Sequence, residues 1–365
     1  MRLGDYITVK TGKLDSNAAT ENGCYPFFTC SRETLRINNY AFDCECVLLA
    51  GNGELNAKYY KGKFNAYQRT YVIESNDNNK LNTKYLYHYF DWYLEKLRYQ
   101  AIGGVIKYIK LGNITEANIP LPCVAVQNNC VSILERIHDL IQSEEKQLKL
   151  YDELIKSRFI EMFGDPELNP FAFEIKEFSK LGNLARGKSK HRPRNDAALL
   201  GGPYPLIQTG DVSNADLYIK KYSSTYSELG LKQSKMWAKG TLCITIAANI
   251  AESAILDFDA CFPDSVVGFE PNEEFNVLFV KYHLDALKSY LDRQATSVAQ
   301  KNLNLEKLSS SPFMAPPIEL QNEFASFVEQ IDKSKFINYS RYFLWEFLTL
   351  FSSTIAYSSV VSILA

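Results

Sequence analysis

Charge of one sign, paired cysteines and metal-ligand spacings are all in short supply in this 365-residue chain. Lysine and arginine number 40 against 42 aspartates and glutamates, a formal charge of −2, which excludes a uniformly basic nucleic-acid binder and moves the question to individual regions. The eight cysteines (Cys24, Cys30, Cys44, Cys46, Cys123, Cys130, Cys243, Cys261) include no Cys-x-x-Cys pair. Neither a zinc site nor a disulfide framework is specified, and buried reduced thiols are the expectation. The four histidines (His88, His138, His191, His283) show no His-Glu-x-x-His or similar spacing, so metal catalysis has no support. The opening Met1-Arg2-Leu3-Gly4-Asp5 lacks the basic-then-apolar run of a leader, which makes a cytoplasmic location the expectation.

What the chain has is apolar bulk: 46% hydrophobic and 13% aromatic residues, enough to bury the cores of two ordinary domains. Its charge is also regional. Residues 1–120 hold fifteen Lys and Arg against twelve acids, whereas residues 121–165 hold five against eight.

Self-comparison is the most informative step. Leu3-Gly4-Asp5 matches Leu181-Gly182-Asn183 at an offset of 178, and Tyr25-Pro26-Phe27-Phe28 matches Tyr204-Pro205-Leu206-Ile207 at 179. Later, Gln100, Lys107, Pro122, Gln127-Asn128 and Ile137 match Gln294, Lys301, Pro316, Gln321-Asn322 and Ile331, all at 194. Two copies of one domain follow, the second with 16 extra internal residues. Matching ends and divergent middles suit a shared scaffold with variable loops, where function concentrates. Strand-like runs such as Cys46–Leu49 and Leu242–Ile246, with helical patterns over Tyr85–Leu97 and Phe279–Leu291, make each copy mixed α/β.

Between the copies, Leu134, Ile141, Leu148, Ile155 and Met162 recur at sevens, with Ile137, Glu144, Tyr151 and Arg158 at the companion positions. This predicts a helix over 126–162, ~55 Å long at ~1.5 Å per residue, stopped by Gly164-Asp165-Pro166 and longer than one DNA turn of ~34 Å.

The order of these elements resembles the specificity subunit of type I restriction-modification enzymes. The resemblance is carried by Leu-Gly-Asp with Lys10-Thr11-Gly12-Lys13, by Asn118-Ile119-Pro120-Leu121-Pro122 leading to Gln127, and by the helix end Lys156-Ser157-Arg158-Phe159-Ile160-Glu161-Met162-Phe163-Gly164-Asp165-Pro166. It covers about 335 of the 365 residues. It implies target recognition domains at 1–122 and 167–316, spacer helices at 123–166 and 317–342, and a tail at 343–365. Each domain would read half of a split double-stranded DNA target. Antiparallel spacers would set the gap and dock two methyltransferase subunits, and restriction subunits would join indirectly. Leu134, Ile137, Ile141, Leu148, Tyr151, Ile155 and Met162 would form the spacer and partner surface. No cofactor, small-molecule substrate or catalytic site is implied, and no Asn/Asp-Pro-Pro-Tyr/Phe methyltransferase motif is present.

For DNA contact, Arg186, Lys188, Lys190, Arg192 and Arg194 lie within a nine-residue, acid-free, Pro- and Gly-containing stretch that also holds His191, a phosphate-contacting loop or a solvated one. In the first copy, Lys58, Lys61, Lys63, Gln68 and Arg69 lie among tyrosines. Arg and Gln can read guanine and adenine edges, while an amphipathic strand pair is the plainer alternative. Lys10, Lys13 and the recurrent pair Lys107 and Lys301 complete the candidates.

Two other readings compete. Gly182-Asn183-Leu184-Ala185-Arg186-Gly187-Lys188-Ser189 satisfies the nucleotide-binding P-loop pattern, but Lys176–Lys180 is a poor buried strand and Pro193 a poor start for the required helix. In the tail, the heptad equivalents of Ile141, Leu148, Ile155 and Met162 are Lys335, Tyr342, Thr349 and Ala356, so the seam is lost. Residues 343–365 are mostly apolar and of membrane-span length, ~17–25 residues, though rich in Ser and Thr and without a basic flank. A replaced or truncated second spacer, in a defective or membrane-tethered copy, is the corresponding expectation.

Overall fold

A computed structural model describes residues 1–191, 193, 196–246, 251–296 and 305–363. The chain divides into two units, Met1–Glu145 with Ser340–Ala365, and Lys146–Tyr339.

The first unit contains β1 (Ile7–Thr11), β2 (Tyr25–Phe28), β3 (Leu35–Ile37), β4 (Phe42–Ala50), β5 (Ala57–Ala66) and β6 (Thr70–Ser75) in one sheet of order β1-β6-β4-β5-β2-β3. All neighbours are antiparallel except β2 and β5. α1 (Thr83–Gln100) starts where the Asn82 side chain accepts the Lys84 and Tyr85 N–H groups, a Ncap arrangement. It buries Tyr85, Leu86, Tyr89, Phe90, Tyr93, Leu94 and Leu97 against Val47, Leu49 and Ile73, the three-and-four spacing that gives a helix one apolar face. α2 (Leu111–Thr115) and α3 (Val124–Phe163) follow. α3 ends at Gly164, whose φ of +75° is the left-handed conformation glycine accepts at a helix C-terminus.

In the second unit, the short β7 (Glu174–Glu177) precedes β8 (Gly182–Arg186), β9 (Leu200–Leu206), α4 (Thr209–Ser213), β10 (Tyr218–Ile219), β11 (Ser224–Tyr226) and α5 (Glu228–Lys232). Then come β12 (Met236–Trp237), β13 (Leu242–Thr245), β14 (Ser253–Leu256), β15 (Ala260–Cys261), β16 (Val266–Pro271), α6 (Val277–Thr296), α7 (Leu305–Ser309), β17 (Pro312–Ala315) and α8 (Ile318–Ile363). The sheets are β10-β14-β13-β16-β8, β11-β9-β15-β12 and β17-β7. Phe159 and Phe163 of α3 sit in the core with Phe178, Phe269, Phe279, Phe313 and Phe324.

The duplication is visible bond by bond. Asn76 N–H donates to Tyr6 O and Asn272 N–H to Leu181 O, while Gly12 N–H donates to Thr70 O and Gly187 N–H to Val266 O. The opening registers therefore differ by 175 residues rather than the expected 178, and the second copy is longer by 19 residues rather than 16. The two Leu-Gly pairs are a coincidence of sequence: Leu3 starts a 3-10 turn, whereas Leu181 follows the equivalent turn, Phe178–Lys180.

Within the second unit, residues 147–158 of α3 run antiparallel to 323–338 of α8. Arg158 pairs with Glu323 at 3.0 Å, Lys335 with Asp152, and Asn338 donates to Gln147 Oε1 at 2.8 Å. The expected loss of the seam at Lys335 is corrected here. The position is buried, and its ammonium is held by Asp152 and by Asp216 at 3.1 Å. α8 itself runs from Ile318 to Ile363, through position 342, at which the sequence alone places the end of the second spacer. Among the described residues no helix is long and apolar enough to cross a membrane. All eight cysteines are unpaired, but only Cys46, Cys243 and Cys261 are buried, while Cys24 and Cys123 are exposed.

Candidate nucleic-acid interface

In the first unit, backbone hydrogen bonds draw four loops together. Gln68 N–H donates to Leu14 O, Tyr67 N–H to Phe28 O, Gly51 N–H to Arg69 O and Gly53 N–H to Lys107 O. Asn56 Nδ2 donates to Cys30 O and Lys58 Nζ to Ser31 O. Lys13, Gln68, Arg69 and Lys107, all exposed, thus belong to one connected surface, although 94 residues separate Lys13 from Lys107. Lys58 joins it as a brace, its amine on Ser31 O at 2.6 Å and 5.7 Å from the Phe28 ring, with burial pulling its pKa below the usual lysine value.

Lys10, Lys61 and Lys63 stand apart from this network. Lys10 is paired with Glu74 at 2.8 Å, and the Glu74 hydrogen bond raises its pKa. Lys61 is paired with Glu45 at 2.9 Å, and Lys63 lies 4.7 Å from the Tyr40 ring. Tyr59 also donates to Glu45.

In the second unit, Arg186 ends β8 and Lys188 and Lys190 follow on an exposed loop. Gln233 Oε1 accepts the N–H groups of Lys190 at 2.6 Å and His191 at 3.0 Å, and Ser234 Oγ donates to Lys188 O at 2.9 Å. His191 Nε2 contacts Asp196 Oδ2 at 3.1 Å, so this acid is part of the loop's own scaffold. The anchoring turn brings Lys232 and Lys235 alongside, the latter 3.3 Å above the Trp237 ring. Sequence reasoning missed both, although Lys232-Gln233-Ser234-Lys235 is itself acid-free. Arg192, Arg194 and Lys301 lie outside the described residues.

The lysines at the two loop mouths are equivalent: Gly12-Lys13 and Gly187-Lys188 follow β1 and β8. A Cβ on Gly12 would sit 1.8 Å from Ala66 O, and one on Gly187 2.2 Å from Phe262 O. Gly187 is there so that the strand end can press against backbone. That overturns the P-loop reading. Gly182–Arg186 of the pattern is the strand β8 itself, and the described residues that follow it, Gly187 to His191, form a loop rather than the first turn of a helix, so the pattern offers a phosphate no helix N-terminus. Among the described residues no cluster of three His, Cys, Asp or Glu is placed to hold a metal ion.

On α3, Leu134, Ile137 and Ile155 are buried and Ile141, Leu148, Tyr151 and Met162 half-buried. These residues face the protein itself. The exposed apolar residues of α3 are Val126, Ile133, Leu140, Leu150, Leu154 and Ile160, of which Val126, Ile133, Leu140 and Leu154 fall in a second series on multiples of seven. It was readable in the sequence but overshadowed by the stronger seam.

Residues 1–150 and 174–339 match the family model described as the type I restriction modification DNA specificity domain. The chain is 40% identical over 156 residues to the type I restriction enzyme EcoDI specificity subunit of Escherichia coli, a match spanning 43% of this chain and only 34% of that relative. It is 25% identical over 335 residues to the putative type I specificity subunit S.MpnORF507P of Mycoplasma pneumoniae, covering 90% of this chain and 84% of the relative. In three dimensions it is similar to the type I restriction-modification S subunit from M. genitalium, with a TM-score of 0.63 and 14% identity over 98% of this chain and 95% of that one. A chain from a structure concerned with assembly and conformational transition of the type I R-M system gives a TM-score of 0.60, again at 14% identity, over 98% and 96%. The two structural likenesses speak for the fold.

Proposed function

We propose, from the premise that this chain belongs to the type I restriction modification DNA specificity domain family, that it reads a bipartite double-stranded DNA target, one half per copy. It is the specificity subunit, the non-catalytic member of such a system. The observation that carries the reading is the pairing of duplicated frames with unlike basic loops. Lys13, Gln68, Arg69 and Lys107 gather on one frame, and Arg186, Lys188, Lys190, Lys232 and Lys235 on the other. Lysines supply sequence-independent phosphate contacts, while Arg69 and Gln68 carry the side-chain groups suited to base edges. Different loops on one scaffold give two different half-sites.

The 40 residues of α3, about 60 Å of helix at ~1.5 Å per residue, form the element that would fix the gap between halves. Val126, Ile133, Leu140 and Leu154 are the apolar stripe offered to methyltransferase subunits, with restriction subunits recruited through them, and the work is done in the cytoplasm. No cofactor or small-molecule substrate is needed for reading.

The test is co-expression of the chain with the methyltransferase subunit encoded beside it, gel filtration, and pull-down of a random duplex library followed by sequencing. One split motif with a fixed gap, recovered in a complex of two methyltransferase subunits per chain, is the expected result. Absence of both enrichment and complex would refute the proposal.

A further inference from the structure

Beside Lys107 the first unit carries an apolar tip. Ile102 and Tyr108 exchange both backbone hydrogen bonds, at 3.0 and 2.9 Å, closing a hairpin opened by Gly103-Gly104, with Gly103 at φ +122°. At its tip Val105 is fully exposed and Ile106 is 62% exposed. Such surface is unfavourable in water, by roughly 25 cal/mol per Å². The tip is nevertheless held firmly: Gly53 N–H donates to Lys107 O, Ile109 N–H to Gly51 O, and Tyr71 Oη to Ile109 O. Through Gly51, which accepts from Ile109 and donates to Arg69 O, it is tied to the loop carrying Gln68 and Arg69.

The charge around the tip is positive. Lys107 and Lys110 flank it and Arg69 lies on the adjoining loop, while Glu54, next to the Gly53 that holds Lys107 O, is paired with Arg32 at 2.7 Å. An apolar tip ringed by cations matches stacked bases edged by phosphates better than it matches a protein surface.

We propose that Val105 and Ile106 enter a base step of the first half-site as a wedge, unstacking it and bending the duplex, with Lys107 and Lys110 holding the flanking phosphates. This rests on the DNA-reading function proposed above. The bend belongs to one half only. Aligned through Gln100 with Gln294 and Lys107 with Lys301, the second copy has Ala299 and Gln300 in place of Val105 and Ile106, residues outside the described part. Specificity at that step would come from the ease of unstacking rather than from hydrogen bonds to the bases, which favours flexible pyrimidine–purine steps.

The experiment uses the full chain in its methyltransferase complex and the duplex recovered from the library, labelled at both ends for energy transfer. Wild type should shorten the end-to-end distance. The double variant V105S/I106S, altered only at exposed positions, should bind the same motif about tenfold more weakly, ~1.4 kcal/mol, and leave the duplex straight. Equal bending and affinity in the two proteins overturns the wedge while leaving DNA reading intact. Loss of the methyltransferase subunit from the variant complex overturns it in favour of a protein contact. Failure of wild type to enrich any motif removes the function and the wedge together.

Discussion

Gln127 and Gln321, 194 residues apart, make the same three hydrogen bonds in their respective units. Each side-chain oxygen accepts the backbone N–H of a helix-capping asparagine, Asn82 or Asn276, at 2.9 Å. Each side-chain nitrogen donates to two carbonyls, those of Lys80 and Pro122 or those of Glu274 and Pro316. The neighbouring Asn128 and Asn322 accept from the same asparagines. Both glutamines are wholly buried, so truncation removes the partner of three backbone groups that are at least partly shielded from water. Gln127→Ala and Gln321→Ala should each lower stability by about 2–4 kcal/mol, seen as an earlier denaturant midpoint. A cost below half a kcal/mol in either would show that the contact is ornamental.

Gly12 and Gly187 form the second equivalent pair, each pressed against the backbone of another segment just beyond the end of its own strand. A methyl group would overlap the Ala66 or Phe262 carbonyl at 1.8 or 2.2 Å, and backbone at such sites does not give way cheaply. Gly12→Ala and Gly187→Ala should each cost about 3 kcal/mol or more, as overpacking against fixed atoms does. Gly104→Ala, which meets nothing within 4 Å, should be close to neutral in the same melting assay.

The duplication, the helices and the α/β class were legible because they rest on local or repeated features. Gln127-Asn128 and Gln321-Asn322 recur in sequence since no other residues make those bonds, and α1, α3 and α6 announce themselves by apolar spacing. The opening register was not legible, because the Leu-Gly pair occurs at two different structural positions. The helix pairing was hidden for a physical reason too. At Lys335 a charge replaces an apolar seam residue, and its partners Asp152 and Asp216 lie 183 and 119 residues away. The interface was legible only as separate basic stretches. Long-range hydrogen bonds decide that Lys13, Arg69 and Lys107 meet while Lys61 and Lys63 do not.

Lys335 itself gives the third prediction. Burial opposes its charge, but Asp152 and Asp216 outweigh that and raise its pKa above the ordinary 10.5. A raised pKa means the stabilisation is complete at neutral pH and is lost only as pH climbs past that ordinary value toward the folded one. Lys335→Met should destabilise at pH 7 by about 1–3 kcal/mol, below the ~3–5 typical of a severed buried pair because both aspartates keep about half their exposure. The gap between variant and wild type should stay flat from pH 7 to 9.5 and close above 10.5.

His283 acts in the opposite pH direction. It is fully buried, its ring 4.3 Å from that of Phe313, with Nε2 accepting the Met314 N–H at 3.1 Å. Burial drives its pKa down to about 3 from 6.5. Below pH 6.5 the unfolded chain takes up a proton that the folded chain refuses, so stability falls with pH until the folded value is reached. The second unit should therefore lose a few kcal/mol between about pH 6.5 and 3, each pKa unit being worth ~1.4 kcal/mol. His283→Gln, which keeps an acceptor for Met314, should flatten that slope in urea titrations at stepped pH. A parallel slope in the variant would assign the acid sensitivity elsewhere.

The basic loops can be sorted by salt and by sequence. A phosphate contact releases a counterion, so Lys188→Ala or Lys190→Ala should weaken binding to target and random duplex alike and reduce the slope of log K against log salt by about 0.9 each. Arg69→Ala should instead lose affinity for the selected motif and little for random duplex, costing roughly 1–3 kcal/mol of discrimination if its guanidinium reads a guanine edge. Lys61→Ala serves as the internal control, because its ammonium is committed to Glu45 and lies off the loop network. If Lys61→Ala changes the salt slope as much as Lys188→Ala does, DNA lies along the β4–β5 hairpin rather than across the loops. The wedge at Val105 would then have no base step within reach, so these four variants and the bending measurement constrain one binding geometry between them.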